Sequence, residues 1–224
     1  MREQLKDAAS FNHPLVIISS VIQFADRPLS YSAVRSVFSP EERESQTLNT
    51  IESVRNKVPA ATIVLIEAGI NEDFLHRLRK EVDQYIYVGD RFPVRYVANW
   101  RHKSLGEAMA LYTGTAKIHS CEPDYYFKLS GRYFLNNNFH ASVFGERGFT
   151  VKTYGEQIST RLYGFSPDQF HFWRTTLRAS AKHLILGKSI EQVMYKKIKY
   201  RISFDLKEIG LSGLVAPDGN AIEE

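Results

Sequence analysis

The stretch YYFKLSGRYFL, residues 125–135, decides the reading of this chain. Tyr125-Tyr126-Phe127-Lys128-Leu129 reads as a strand, Ser130-Gly131 breaks it, and Arg132-Tyr133-Phe134-Leu135 continues it. A strand this apolar belongs at the centre of a sheet. Yet Lys128 and Arg132 flank its break, and lysine is seldom buried without a partner. Two readings follow. Either a site sits at the end of this strand, or the two cations pair with Asp124 or Glu122 on the sheet rim.

Working outward, Leu15-Val16-Ile17-Ile18-Ser19-Ser20-Val21-Ile22 and Thr62-Ile63-Val64-Leu65-Ile66-Glu67 are β-branched apolar runs of strand length. Tyr85-Ile86-Tyr87-Val88 predicts a third strand and Arg95-Tyr96-Val97 a short fourth. Ser39-Pro40-Glu41-Glu42 opens a helix with a serine N-cap, proline at the first position and acids in the first turn. Leu48, Ile51 and Val54 carry its stripe to about Lys57. Asn71-Glu72-Asp73 starts a second helix, with Phe74, Leu75, Leu78 and Val82 on one face. Leu105, Ala108, Met109 and Tyr112 mark a third over residues 104–116.

The order to residue 135 is therefore β-α-β-α-β-(β)-α-β. It predicts an α/β domain whose mostly parallel central sheet is flanked by helices. Such sheets bind ligands at the carboxyl ends of their strands. Ser19-Ser20, Glu67 and residues 128–132 all fall there.

Beyond residue 135, Phe149-Thr150-Val151-Lys152-Thr153 and Leu162-Tyr163-Gly164-Phe165 read as strands. Ser166-Pro167-Asp168-Gln169 repeats the helix start, with glutamine placed as in a capping box, for a helix to about Leu184. Ser189-Ile190-Glu191-Gln192 opens another, to about Lys199. Short strands follow near residues 202–204 and 214–215. The whole of 1–224 reads as a single domain.

With 224 residues, 43% hydrophobic and 24% charged, the chain can bury a sizeable core. A net charge of +4 suits an anionic small molecule at least as well as nucleic acid. The one basic cluster, Lys196-Lys197-Ile198-Lys199-Tyr200-Arg201, lies on a helix whose Val193 and Ile198 look core-facing, so no nucleic-acid partner is expected. The single cysteine, Cys121, allows no disulfide framework and predicts a reducing, cytoplasmic setting. Neither a signal peptide nor a membrane span is read. No GxGxxG follows the first strand, and GxxxxGK[ST], GxSxG and HExxH do not occur. His171 and His183 are too far apart on their helix to share a metal, and Trp173 reads as core.

The segment order resembles the GT-A-type glycosyltransferases over roughly residues 14–200. The resemblance is carried by an opening strand ending in small polar residues, by TLNTIESVRNKVPAATIVLIEAG, by Lys103-Ser104-Leu105-Gly106-Glu107-Ala108, and by PDYYFKLSGRYFL. Small viral and bacterial surface-polysaccharide transferases carry similar KSxGEA and K-[LI]-SGRY segments. The resemblance implies a GT-A-like (Rossmann-like) domain, with residues 1–135 as the nucleotide-sugar-binding half and 136–224 as the acceptor-side half. It implies hexosyl or pentosyl transfer from a nucleotide sugar, UDP-linked by family habit, to a glycan acceptor, with donor hydrolysis as a side reaction. The setting would be cytoplasmic, the host's cytoplasm for a viral source.

In that family the strand ends in Asp-x-Asp, which binds a divalent metal (Mn or Mg) and the diphosphate. Here Ser130-Gly131-Arg132 stands instead. One alternative is that Lys128 and Arg132 stabilise the leaving diphosphate in the metal's place. Arginine grips it bidentately, and Gly131 lets backbone approach the phosphates. The other is a metal held by Glu67, Glu191 or Asp205, so the metal ligands stay unassigned. Ser19, Ser20, Ser130, Arg35, Lys103 and Glu67 would contact the donor. Arg35 and Arg43 flank the loop after the first strand, where such enzymes cradle the nucleotide, Tyr31 and Phe38 are candidates to stack on the base, and Trp100 to touch base or sugar. Glu191 would be the general base, or simply an acid in a helix's first turn. Lys103 and Glu107 also have solvated-surface readings. The rival function is a catalytically silent nucleotide- or glycan-binding module.

Overall fold

The structure is a computed structural model that describes residues 11–25, 27–72, 75–119 and 122–224. Cys121 and the expected helix start at Asp73 and Phe74 lie outside these residues. The central strand, β1 (Leu15–Ser20), runs parallel to β2 (Thr62–Glu67) on one side and to β4 (Tyr126–Ser130) on the other. β3 (Gln84–Tyr87) adds a parallel edge beyond β2. On the far side of β4, β7 (Leu162–Phe165) and β6 (Phe149–Val151) pair antiparallel, and β8 (Ile202–Asp205) joins β6 in parallel. The seven-stranded order is β3-β2-β1-β4-β7-β6-β8.

The continuous apolar strands are explained by burial on both faces. Alternate side chains point to opposite faces. Leu15, Ile17, Val64 and Ile66 pack with Leu105 and Ala108 of α4 (Lys103–Thr115) and Trp173 and Leu177 of α5 (Phe170–Ile185). Val16, Ile18, Ile63 and Leu65 pack with Ile51 and Val54 of α1 (Pro40–Lys57) and Leu78 of α2 (His76–Glu81). Each such apolar side chain contributes about 1.5–3 kcal/mol on burial. The α1 capping box forms: the Ser39 hydroxyl accepts from Glu42 N at 3.2 Å, and the Glu42 carboxylate accepts from Ser39 N at 2.7 Å. Ser189 caps α6 (Ile190–Ile198) through Gln192 N.

Several expectations are corrected. Arg95-Tyr96-Val97 is not a strand but part of a helical turn, α3 (Val94–Val97). The second described helix begins at His76 rather than at Asn71. The strand at 149–153 stops at Val151. Residues 125–135 are two strands in two sheets: β5 (Tyr133–Leu135) leaves the large sheet and pairs with β9 (Leu211–Leu214), which pairs with β10 (Ala221–Glu223). The capping box at Ser166 does not form. Its hydroxyl instead accepts from Gly148 N and donates to Asp168.

Candidate functional site

Leaving the large sheet at Ser130 is what builds the site. Gly131 N donates to Ser19 O at 2.9 Å, and Thr47 Oγ1 donates to Gly131 O at 2.8 Å. The turn is thereby clamped against the end of β1. A Cβ on Gly131 would stand 3.2 Å from Ser19 O and 3.3 Å from Thr47 Oγ1, so a larger residue would have to push these neighbours back by a few tenths of an ångström. The clamp projects Arg132 over the carboxyl ends of β1 and β4.

Two joined chambers lie there. The inner one, of about 80 Å³, is lined by Ser19, Ser20, Phe24, Arg35, Arg43 and Lys103, among others. The outer one, of about 570 Å³, is walled by Tyr31, Thr160, Arg161, Glu191 and Asp218, among others. Lys103, Glu107, Ser130, Arg132 and Ala216 border both. So the structure brings Ser19, Ser20, Arg35, Lys103, Ser130, Arg132 and Glu191 together around one cleft.

Three expected residues do not line that cleft: Gly131, whose N–H is taken by Ser19 O so that it has none to offer a phosphate, and Lys128 and Glu67, which stand behind the cleft. Lys128 is fully buried, and its ammonium donates to Glu107 Oε1 at 2.5 Å, Ser130 Oγ at 2.8 Å and Thr160 O at 2.6 Å. An ammonium has three protons, so none is left for a phosphate. Its partner is Glu107, not Asp124 or Glu122. Asp124 instead accepts from the backbone N–H groups of Asn12 and His13. Glu67 is likewise fully buried, and its Oε1 accepts from Ile22 N and Gly69 N. It fixes the loop after β1. Burial pushes its carboxyl up, against the hydrogen bonds from Ser20, Ile22 and Gly69 that favour the charge.

The cations divide into two kinds. Arg35 and Arg43 hold backbone: Arg35 donates to the carbonyls of Arg27, Ala98 and Trp100, and Arg43 to Val21 O and Ser36 Oγ. Burial pushes the Arg43 guanidinium down to about 9, with Arg132 and Arg35 adding to the push and Glu67 opposing it. Arg161 is paired with Glu224. Arg132 and Lys103 are different. Arg132 Nη1 is buried with no hydrogen-bond partner. Among the described residues, no hydrogen bond or ion pair reaches the Lys103 ammonium. Burial drives Lys103 well below the ordinary lysine range, and Arg132 beside it pushes the same way. Glu107 and Glu191 oppose that shift, but Glu107 is already bonded to Lys128 and Glu191 to Thr160. Burial raises the Glu107 carboxyl, but Lys128, Lys103 and Arg132 outweigh that and hold it low. The cleft therefore presents a guanidinium nitrogen and a lysine amine without hydrogen-bond partners, beside Glu107 and Glu191, an arrangement that a bound anion would complete.

The three acids that the sequence offered as metal ligands do not come together. Among the described residues, no three histidine, cysteine, aspartate or glutamate side chains gather as a metal site. Glu67 is behind the cleft, Asp205 accepts from Thr153 N and Oγ1 beside β6, and Glu191 accepts from Thr160 Oγ1 at 3.1 Å.

Sequence reasoning underrated Glu107 and Arg43 and missed Thr160 and Arg161. For Arg43 a signal existed: Arg43, Thr47, Thr50, Ile51 and Val54 are all buried and follow helical spacing. Glu107, Thr160 and Arg161 carry no such signal, because their partners come from other elements.

Compared with known proteins, no family model matches the chain and no curated protein matches its sequence. Solved structures do match. The inositol-1-phosphate CTP transferase from T. maritima aligns with a TM-score of 0.52 at 12% identity, over 96% of this chain and 93% of that one. The galactosyltransferase LgtC, solved with donor and acceptor sugar analogs, aligns with a TM-score of 0.50 at 9% identity, over 85% of this chain and 72% of that one. The fold is thus the GT-A-like, Rossmann-like α/β fold that the sequence led us to expect. Among the described residues no helix is long and apolar enough to cross a membrane.

Proposed function

We propose that this chain is a glycosyltransferase that takes a sugar from a nucleotide-sugar donor, UDP-linked as the resemblance implies, and passes it to a glycan acceptor. The observation that carries the reading is Arg132: a buried, unpartnered guanidinium nitrogen over the carboxyl ends of β1 and β4, next to an unpaired Lys103. A leaving nucleoside diphosphate is the anion that satisfies both. Residues 1–135 supply most of the inner chamber, and the later half brings Thr160, Arg161 and Glu191 to the outer one, where the acceptor would lie.

In this reading Glu191, oriented by Thr160, takes the proton of an acceptor hydroxyl. The acceptor oxygen forms a bond to the anomeric carbon as the bond from that carbon to the diphosphate oxygen breaks. The electron pair leaves with the diphosphate, where Arg132 and Lys103 meet the growing charge. Preorganised donors of this kind each account for about 10²–10³ in rate. Lys128 acts indirectly, by holding Glu107, Ser130 and Thr160 in place. These cations take the role that a divalent metal plays where Asp-x-Asp is present. The setting we infer is the cytoplasm.

The replacement of Asp-x-Asp by Ser130-Gly131-Arg132 also favours a second reading, a silent nucleotide- or glycan-binding module. Incubation with a panel of nucleotide sugars, reading release of free nucleoside diphosphate, separates the two. Release from one or two donors supports the transferase. Nucleotide binding without release from any donor supports the silent module.

A further inference from the structure

The segment between β3 and α4 carries a feature that the cleft does not use. Phe92, Tyr96 and Trp100 recur every four residues, and all are exposed, at 82%, 64% and 46%. The backbone is helical over Val94–Val97, and Trp100 N donates to Val97 O at 3.0 Å, so Tyr96 and Trp100 leave one continuous turn, with Phe92 just before it. The Phe92 and Tyr96 rings meet edge to face at 5.9 Å. Val94 and Ala98 are buried and anchor the turn from below.

Arginines alternate with the rings along the chain. Arg91, Arg95 and Arg101 are exposed on the same segment. Arg35 draws the carbonyls of Arg27, Ala98 and Trp100 together, which sets the exposed Arg27 beside them. Asp90 is the one acid between positions 84 and 106, and it pairs with Arg91 at 3.4 Å. Water favours no such cluster of exposed rings. An anionic bilayer surface accepts both chemistries at once, with aromatic rings at headgroup depth and guanidinium groups on lipid phosphates.

We propose that residues 91–101 form a docking ridge for an anionic membrane surface. The ridge follows the carboxyl end of β3, and Ala98 from it lines the inner chamber. A docked molecule would hold its cleft beside the lipid headgroups. The ridge stands on its own observations, whether or not the cleft transfers a sugar.

The test is cosedimentation of the full chain with vesicles of phosphatidylcholine alone or mixed with phosphatidylglycerol. Binding to the mixed vesicles is expected, with little to the neutral ones, and it should weaken as salt rises. Arg91→Glu and Arg95→Glu should each weaken it at least about fivefold. Phe92→Ala with Trp100→Ala should weaken it severalfold without steepening the salt dependence. Arg91 and Arg95 are exposed, so their variants should leave the thermal melt in place, and the double aromatic variant, which loses the Phe92–Tyr96 contact, should lower it only slightly. Equal binding by the wild type and every variant, or no binding to the mixed vesicles, would overturn the proposal. So would retention of a single-stranded oligonucleotide in preference to the vesicles.

Discussion

Lys128 Nζ stands 2.5 Å from Glu107 Oε1, beneath the cleft and 21 residues away in sequence. The lysine side chain is 1% exposed and the glutamate 20%. Removing one partner of such a pair leaves a buried charge uncompensated. Lys128→Met and Glu107→Leu should each destabilise the protein by about 3–5 kcal/mol, and the double variant by less than the sum. Urea denaturation of the three variants checks this. Additive losses would mean that the two residues act separately.

Arg132 should behave in the opposite way. Its Nη1 has no partner to lose. Arg132→Ala should leave the melting temperature unchanged or raise it, as expected where a site is arranged for function at some cost to stability. Nucleoside diphosphate affinity should fall by about 10–100-fold, the value of a charge-assisted hydrogen bond. Thermal melts and calorimetric titration read the two effects independently.

Lys103 links binding to pH. Burial and Arg132 depress its pKa in the free protein. A bound diphosphate favours the ammonium and raises that pKa again. The complex therefore holds more protons than the free protein at pH values between the two. Affinity should fall as pH rises through that window, below the range of an ordinary lysine. Titrations in buffers of different ionisation enthalpy should show proton uptake in the wild type and less of it in Lys103→Met.

Gly106 sets the distance between α3 and α4. A Cβ there would lie 2.9 Å from Ala98 Cα and 3.0 Å from Val97 O, both backbone atoms. Helix propensity favours Gly106→Ala by about 1 kcal/mol. The clash should outweigh that gain and give a net destabilisation of about 1–3 kcal/mol. Ala98 and Gly106 both line the inner chamber, so nucleotide affinity should fall as well.

The parallel half of the fold was legible because its strands are buried on both faces and read as unbroken apolar runs. Val94-Arg95-Tyr96-Val97 was not, because four residues cannot distinguish a period of 2 from one of 3.6. The break at Ser130-Gly131 was visible, but the transfer of β5 to a second sheet was not. Its partner, β9, lies more than seventy positions later. The same limit applied to Lys128. Sequence shows that a buried lysine needs an acid, and neighbouring Glu122 and Asp124 were the local candidates. The fold supplied Glu107 from α4. Arg132, Lys103 and Glu191 were legible as candidates because each stands at an element boundary that the sheet topology brings to one side.

The proposed transfer requires that the cleft hold a nucleoside diphosphate with cations in place of a metal. Calorimetric titration of UDP into the wild-type protein, in chelator and then with manganese, tests it most directly. UDP should bind in chelator, with an affinity that manganese changes little. Binding that appears only with manganese would contradict it, and would require acids gathered around the metal in an arrangement other than the one described.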